Sequence, residues 1–455
     1  MDNLLTATGT ALTTVDVKRL EPLLEKLQGN ILRAHGRNHA YHVFLRFREG
    51  HLAEVKSRLR DYLPRLTTAL QQTQPSKAND PIPFVSISIS ATGYRYFGKQ
   101  LGPEFDQAFV AGMKSERSIL GDPEKTDWDD EHPGSIHAMI LLALDDKKSL
   151  ETHMTKLIAS FGEAAEMAFP EHGNALRDNV NPEVTFEHFG YVDGISQPVF
   201  FAEDLSKRQA DGENKWDPRR GPQTVLTQDP FGPDGAAGSY LVFRKLEQKV
   251  AAFWKFRRTL GEALGIDEHR AGALIVGRSE DGRPIAQSDA APEIPAHKIN
   301  NFNYSNDKDG LACPFHAHIR KVNPRGSSPL TANGEAAHRI VRRGIPYGER
   351  LDPKSDLNSV NDNGRGLLFM CYQRRITTGF EVLQGQWANR KDFPAPDSGV
   401  DSVVGQPKQA GPQIWRVRQP AVREVQMDLQ HFVSLKGGEY FFTPSISFLE
   451  TLAKQ

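Results

Sequence analysis

The chain has two cysteines in 455 residues, Cys313 and Cys371. That is too few for a disulfide framework and fits a reducing compartment. It also lacks any run of the ~20 apolar residues that a membrane-spanning helix needs. The N-terminus, MDNLLTATGTALTTVDVKRL, has no basic start and no sustained apolar stretch, so no secretory signal is read and a soluble, cytoplasmic protein is expected. Charge of one sign is missing too. The 56 Lys and Arg against 57 Asp and Glu leave a formal net charge of −1, which gives no overall field to attract nucleic acid. The remainder, 38% hydrophobic and 25% charged, is the ordinary balance of a globular protein, at a length that supports two cores.

Against this neutral background one stretch is basic. From Cys313 the chain reads CPFHAHIRKVNPR and, after a polar spacer, HRIVRRGIPYG to Gly348. Pro314 and Pro324 bound the segment that carries His316 and His318, and proline is expelled from helix interiors, so one short helix is expected between them. Arg320, Lys321, Arg325, Arg339, Arg342 and Arg343 surround the two histidines in sequence. An imidazole ringed by guanidinium groups suits a planar dianionic cofactor that carries iron, such as haem.

The first fifteen residues are small and polar and are expected to fray. Apolar residues at helical spacing predict a helix from Asp16 to Leu27, ended by Gly29. Alternation predicts a strand over Tyr41 to Phe47, then a helix over Leu52 to Leu63, and Val85-Ser-Ile-Ser-Ile-Ser90 predicts a half-buried strand. Residues 102 to 134, dense in Gly, Pro and Asp, read as a surface connection. Ile136 to Leu144 reads as an apolar strand and Leu150 to Phe169 as a helix. A domain boundary is expected within 203 to 237, dividing the chain into 1–220 and 221–455. Beyond it come a strand at Ser239 to Arg244, a helix at Leu246 to Leu264, a strand at Gly366 to Tyr372 and a helix at Thr378 to Trp387. His431 to Thr443 reads as a hairpin turning at Gly437-Gly438. The order of elements in each half is that of an α+β ferredoxin-like layer.

A second concentration of chemistry is HFGYVDGISQP, residues 188 to 198, where Gly190 and Gly194 bracket Asp193. Flanking glycines let a backbone turn tightly and bring a carboxylate close to a ligand. The Gly190-x-x-Asp193-Gly194 pattern, the His318 segment and Arg342-Arg343-Gly344-Ile345-Pro346-Tyr347-Gly348 together resemble the dye-decolorising peroxidases. So do QGNIL (28–32), GSYLVF, GLLFMCYQ, GFEVLQGQW (379–387) and GGEYFFTP, in this order over nearly the whole chain. The wording of CPFHAHIRKVNPR is most similar to the longer fungal-type and cyanobacterial members, although the secretion signal of the fungal ones is missing.

The resemblance implies two ferredoxin-like domains with antiparallel sheets and peripheral helices, binding haem b (iron protoporphyrin IX) mainly in the C-terminal half. It implies His318 as the proximal iron ligand, with Asp401 accepting the other ring N–H and Glu381 as the fallback. His316 is expected at the surface or behind the ligand. Asp193 is implied as the distal acid–base group and Arg342 as the cation that stabilises the peroxide anion, Arg343 being the other candidate. Leu367 and Phe369 would line the pocket, and Arg325, with Arg320 second, would meet a propionate. Hydrogen peroxide and small or bulky aromatic reductants are the implied partners, with bulky donors oxidised through surface residues drawn from Trp387, Tyr347 and Tyr372. The oligomeric state, monomer or homodimer, stays open. Two other readings remain: a haem carrier or sensor that performs no turnover, and a non-haem metalloenzyme built on His316, His318 and an aspartate.

Overall fold

Strong alternation in the N-terminal half produces four strands, β1 (His39–Phe47), β2 (Phe84–Ser90), β3 (Ala138–Leu144) and β4 (Ala165–Asn174), in a computed structural model that describes residues 11–74, 81–131, 134–206, 215–287, 294–352, 354–406, 411–419 and 421–454. They pair antiparallel in the order β4-β1-β3-β2. Helices Leu52–Tyr62 and Lys147–Phe161 follow β1 and β3, which is the ferredoxin-like βαββαβ order. In the C-terminal half the strands are β5 (Ala237–Gln248), β6 (Val341–Arg342), β7 (Ile345–Tyr347), β8 (Gly366–Gln373), a separate hairpin of β9 (Pro412–Gln419) and β10 (Ala421–Asp428), and β11 (Val433–Thr443). Their order β7-β8-β5-β11 repeats the first layer, with β6 also on β8. The expected boundary within 203–237 falls partly on 207–214, outside the described residues, as do 1–10 of the segment expected to fray.

The two layers are one sheet. Phe441 and Phe442 of β11 pair with Ser90 and Ile89 of β2. The far edges also meet, since a Cβ on Gly173 of β4 would lie 2.3 Å from Cγ2 of Ile345 of β7. Lys245 of β5 forms an ion pair with Glu171 of β4 at 2.6 Å. Twisted sheets that curl until their edges touch leave no strand exposed on either face. Period-2 alternation therefore sorts residues between two cores rather than between core and water. Tyr41, Val43, Leu45, Ile87 and Ile140 pack outward on Val55, Leu59, Leu150 and Leu157 of the helices. Ala40, Phe44, Met139, Leu141, Phe243 and Met370 pack inward on one another.

That closure explains several differences from the sequence reading. Ser86, Ser88 and Ser90 do not face solvent but are buried, and Ser88 and Thr443 share a hydrogen bond at 2.7 Å inside the barrel. The described part of residues 102–134, all but 132 and 133, is not a surface connection. It forms short helices that bury Phe105, Phe109, Met113, Leu120 and Trp128, and the Asp and Gly that looked like loop residues are caps, such as Asp106 accepting from Ala108 N at 3.0 Å. The helix expected to run to Phe169 stops at Phe161, before Gly162 at φ +48°. The Ala/Glu-rich stretch after it pairs with β1 as β4, tertiary pairing overriding helix propensity. Nor is there a turn at Gly437-Gly438. Strand β11 runs through with a bulge, and the glycines make room for a neighbour, a Cβ on Gly437 falling 2.0 Å from the Trp128 ring. The expected helix over Asp16–Leu27 is broken at Leu20 into Thr14–Arg19 and Glu21–Lys26. Among the described residues no helix is long and apolar enough to cross a membrane.

One buried acid outside the cleft makes a stability prediction. Glu381 is 7% exposed, and burial, with Glu116 and Asp106 nearby, pushes its carboxyl up to about 7 against a hydrogen bond from Tyr440 Oη at 3.2 Å. Between the unfolded value near 4.3 and about 7 the folded chain keeps a proton that the unfolded chain has released. Stability then falls as pH rises through that window and is flat above it, by roughly 3 kcal/mol from this residue. Denaturant unfolding at pH 5 and pH 8 should show Glu381→Gln reducing that pH dependence.

Candidate active site

The loop after β4 is built to hold one carboxylate in place. Glu187 accepts from the N–H groups of Phe189 and Tyr191, both at 2.9 Å, and from Gln248 Nε2 at 2.6 Å, which ties the turn to β5. Gly190 and Gly194 take φ +104° and +80°, values that strain any other residue. Asp193 N donates to Thr185 O at 2.9 Å. The Asp193 side chain then stands in a large cleft, its Oδ1 accepting from Gly194 N at 2.6 Å and from Arg342 Nη1 at 2.9 Å. Burial would raise this carboxyl, but Arg342 and the Gly194 N–H hold it below the usual carboxylate range. Arg342 is fixed by β6, whose Arg342 pairs with Cys371 of β8, and by Gln197 Oε1 accepting from its N–H at 3.1 Å.

The other wall carries His318, at the start of the short helix His318–Val322 expected between the two prolines. Its Nδ1 donates to Oδ2 of Asp401 at 2.8 Å, which leaves the Nε2 lone pair available to a metal. Asp401 is fully buried, and its Oδ1 accepts from Val403 N at 2.8 Å and Val404 N at 2.9 Å. Burial again works to raise the carboxyl, and His318 with the two backbone donors outweighs it, so it sits below the ordinary value. Lys321, one turn on, is buried among carbonyls, donating to those of Arg390 (2.7 Å), Phe393 and Gly399 (2.5 Å). It pins the segment that leads into Asp401. Replacing it with leucine strands three acceptors, and we expect Lys321→Leu to destabilise the fold by about 3 kcal/mol in denaturant unfolding.

Leu367 and Phe369 line the cleft from alternate positions of β8, joined by Leu246, Phe380, Ile319 and Val403. At the polar end stand Arg325, Arg278 and Arg339. Arg325 donates to Asn300 O (2.7 Å), Phe302 O (2.9 Å) and Ser196 Oγ (3.0 Å), with Trp216 and Phe302 on its faces. Burial lowers Arg278 to about 10 and Arg339 to about 9. Arg278 was not singled out from sequence, because a lone arginine before a turn carries no pattern. Trp216 is equally isolated in sequence, and Ser196, although within 188–198, has nothing beside it that marks it as a partner of Arg325.

Other expectations change. Arg320 is fully buried away from the cleft, held by Asp307 Oδ2 (2.8 Å) and O (2.8 Å) and by Cys313 O (2.6 Å), so it does not reach the pocket. Arg343 turns the opposite way from Arg342 and donates to the carbonyls of Asn30 and Ile31. Glu381 lies with Tyr440, and Asp401 takes the position beside His318. His316 is buried, not superficial, bonded to Ser398 O at 3.0 Å and packed edge-on to Trp415. None of the three aromatic candidates is at the surface. Trp387, 4% exposed, stacks on Phe393 in the cleft wall with His338 edge-on, while Tyr347 and Tyr372 are 8% and 0% exposed among the strands. The arrangement also disfavours the non-haem reading, since among the described residues no three His, Cys, Asp or Glu side chains gather as a metal site.

A single imidazole with an anionic partner, apolar walls, and arginines stand in one cleft with a paired carboxylate and guanidinium. That combination has the chemistry of an oxidoreductase site. The chain matches the family descriptions "DyP dimeric alpha+beta barrel domain" over residues 26–175 and "Dyp-type peroxidase, C-terminal" over 208–394. It is 38% identical to the multifunctional dye peroxidase DyP2 of Amycolatopsis sp., covering 94% of this chain and 96% of that one. It is 31% identical to a dye-decolorizing peroxidase of Mycena epipterygia, covering 94% and 87%. Its structure resembles that of the DyP-type peroxidase of Anabaena sp., with a TM-score of 0.86, 36% identity and 97% of each chain covered. The chain belongs to the dye-decolorising peroxidase family and is a peroxidase.

Proposed function

We propose that the chain reduces hydrogen peroxide with haem b as cofactor and oxidises phenolic and bulky aromatic donors in one-electron steps. The residues of the cleft fit that group: His318 Nε2 would hold the iron, Arg325, Arg278 and Arg339 would meet the propionates, and Leu367 and Phe369 would flank the ring. When bound, haem supplies the two electrons that cleave the O–O bond and takes them back singly from donors.

The proton steps belong to Asp193 and Arg342. Oδ1 of Asp193 is occupied by Arg342 and Gly194, and Oδ2 has no partner among the described residues. Oδ2 is therefore the atom that takes the peroxide proton and returns it to the oxygen that leaves as water. Because the Arg342 charge keeps the carboxyl below its usual value, this base is ionised well into acid. Arg342 uses Nη1 on Asp193, and its other N–H groups are left to donate to the peroxide anion and to the charge that grows as the bond breaks. Leu367 and Phe369 keep the space over the pair narrow, so a bulky aromatic does not displace peroxide. The observation that carries the reading is the 2.9 Å Asp193–Arg342 contact in the same cleft as the His318–Asp401 pair; a carrier needs no acid–base pair there.

The test is to add haemin to the purified chain, follow its absorption, then add peroxide with a phenol. We expect stoichiometric binding and peroxide-dependent oxidation that is fastest in mildly acidic solution. Binding without turnover would favour the carrier or sensor reading.

A further inference from the structure

Beyond the wall of the cleft formed by residues 336–339 lies a second pocket, lined by Arg220, Arg339, Arg374 and Arg375 with Gln223 and Thr378. Among the described residues no carboxylate lines it and none of the four arginines forms an ion pair within 4.0 Å. The neighbouring acids are committed elsewhere. Asp217 is held by Arg219 at 2.9 Å, and Glu335 accepts from Gly326 N and Ser328 Oγ. The Nε–H groups of both Arg220 and Arg339 are shut off from water with no hydrogen-bond partner. Their other hydrogen bonds go to carbonyls, Asp217 O at 3.2 Å and Arg219 O for Arg220 and Asp217 O at 3.4 Å for Arg339, whose guanidinium also lies 4.9 Å from the Trp216 ring. Asp217 acts on both charges and Glu335 on that of Arg339, but neither carboxylate bonds the buried Nε–H groups, and a buried guanidinium donor left without a partner is costly.

We propose that this pocket is an oxyanion site, taking a carboxylate, sulfonate or phosphate group on the outer side of the cleft wall. Four guanidinium groups supply planar donors suited to such a group. The Gln223 amide, whose Oε1 also lacks a partner, adds a donor when flipped. Burial lowers Arg220, with Asp217 only partly opposing it, the direction expected for a cation that lacks a bonded counter-ion. Arg339 lines both pockets, and His338 beside it hydrogen-bonds Thr378 O at 2.6 Å and meets Trp387 edge-on. A group bound here is therefore one residue's thickness from the cleft. The anion has two sources, free inorganic phosphate or the acidic substituent of an aromatic electron donor. The second rests on the peroxidase reading and the first does not.

The experiment is calorimetric titration of the haem-loaded protein with inorganic phosphate and, separately, with an anthraquinone sulfonate and its unsulfonated parent. The same titrations are run on Arg374→Gln and Arg375→Gln, which lie outside the cleft and are exposed enough to fold. We expect saturable binding of at least one anion, weakened about tenfold by either substitution, as loss of one charge-assisted contact implies. Phosphate binding that competes with the sulfonate, or phosphate binding alone, identifies a free-anion site. Sulfonate binding without phosphate binding, with the ratio of KM for sulfonated over unsulfonated donor rising about tenfold in the variants, identifies a donor-docking site. If neither anion binds, or both variants bind as the parent does, the pocket is not an oxyanion site. Failure of turnover in every protein would instead count against the peroxidase reading and leave the phosphate titration to decide the pocket.

Discussion

Asp193→Asn should lower peroxide-dependent turnover by two to four orders of magnitude, the contribution of a positioned acid–base group, while haemin still binds and the fold is unchanged. Asparagine can keep the bond from Arg342 at its oxygen, but its amide cannot take a proton from peroxide. Arg342→Leu should cost roughly two to three orders of magnitude, as removal of a preorganised cationic donor does. Because the two side chains share Oδ1 at 2.9 Å, their effects should not add, and the double variant should be little worse than Asp193→Asn alone. The pH profile carries the sign. A carboxyl held below its ordinary value stays a base as acidity rises, so the acid limb of the rate should fall only below about pH 4. An acid limb centred near neutrality would mean that another group takes the proton. Steady-state rates at saturating donor across pH 3–8 measure both effects.

The contrast between what sequence and structure each supply is visible in these same residues. Glycine on both sides of Asp193 signals a carboxylate held in a tight turn, and prolines at 314 and 324 bound the helix of His318, because backbone constraints act locally. The pairing of Asp401 with His318 spans 83 positions and enters only through family wording. Composition is a poorer guide where burial is two-sided. Serines alternating in β2 read as a solvent face, yet the sheet closes on itself and both faces are interior. The Ala/Glu stretch of β4 reads as helix because its strand partner is more than a hundred residues away. Arg320 and Arg325 are alike in sequence, and only the fold separates them: one is consumed by Asp307 and the other borders the cleft. Trp387, Tyr347 and Tyr372 are buried, unlike the surface relay expected, because an aromatic side chain that anchors packing carries the same sequence signal as an exposed one.

The second large effect is expected at Asp401. Its carboxylate meets three donors at once, His318 Nδ1, Val403 N and Val404 N, within 2.9 Å and with no exposure. In Asp401→Asn one oxygen becomes an NH2 group, which must face either the imidazole N–H or the two backbone N–H groups, so a donor opposes a donor in either orientation. The negative charge behind the imidazole is lost as well, and with it the anionic character that favours the oxidised metal. We expect haemin affinity to fall 10- to 100-fold, the range seen when the partner of a ligating histidine is removed, and the reduction midpoint to rise. Glu381→Gln, altering a carboxyl bonded to Tyr440, should move neither quantity. Haemin titration followed by absorbance and a spectroelectrochemical midpoint separate the two variants. An Asp401→Asn protein with unchanged affinity and midpoint would mean that the 2.8 Å contact orients nothing of consequence, and His318 would lose its place as the ligand on which the cleft is built.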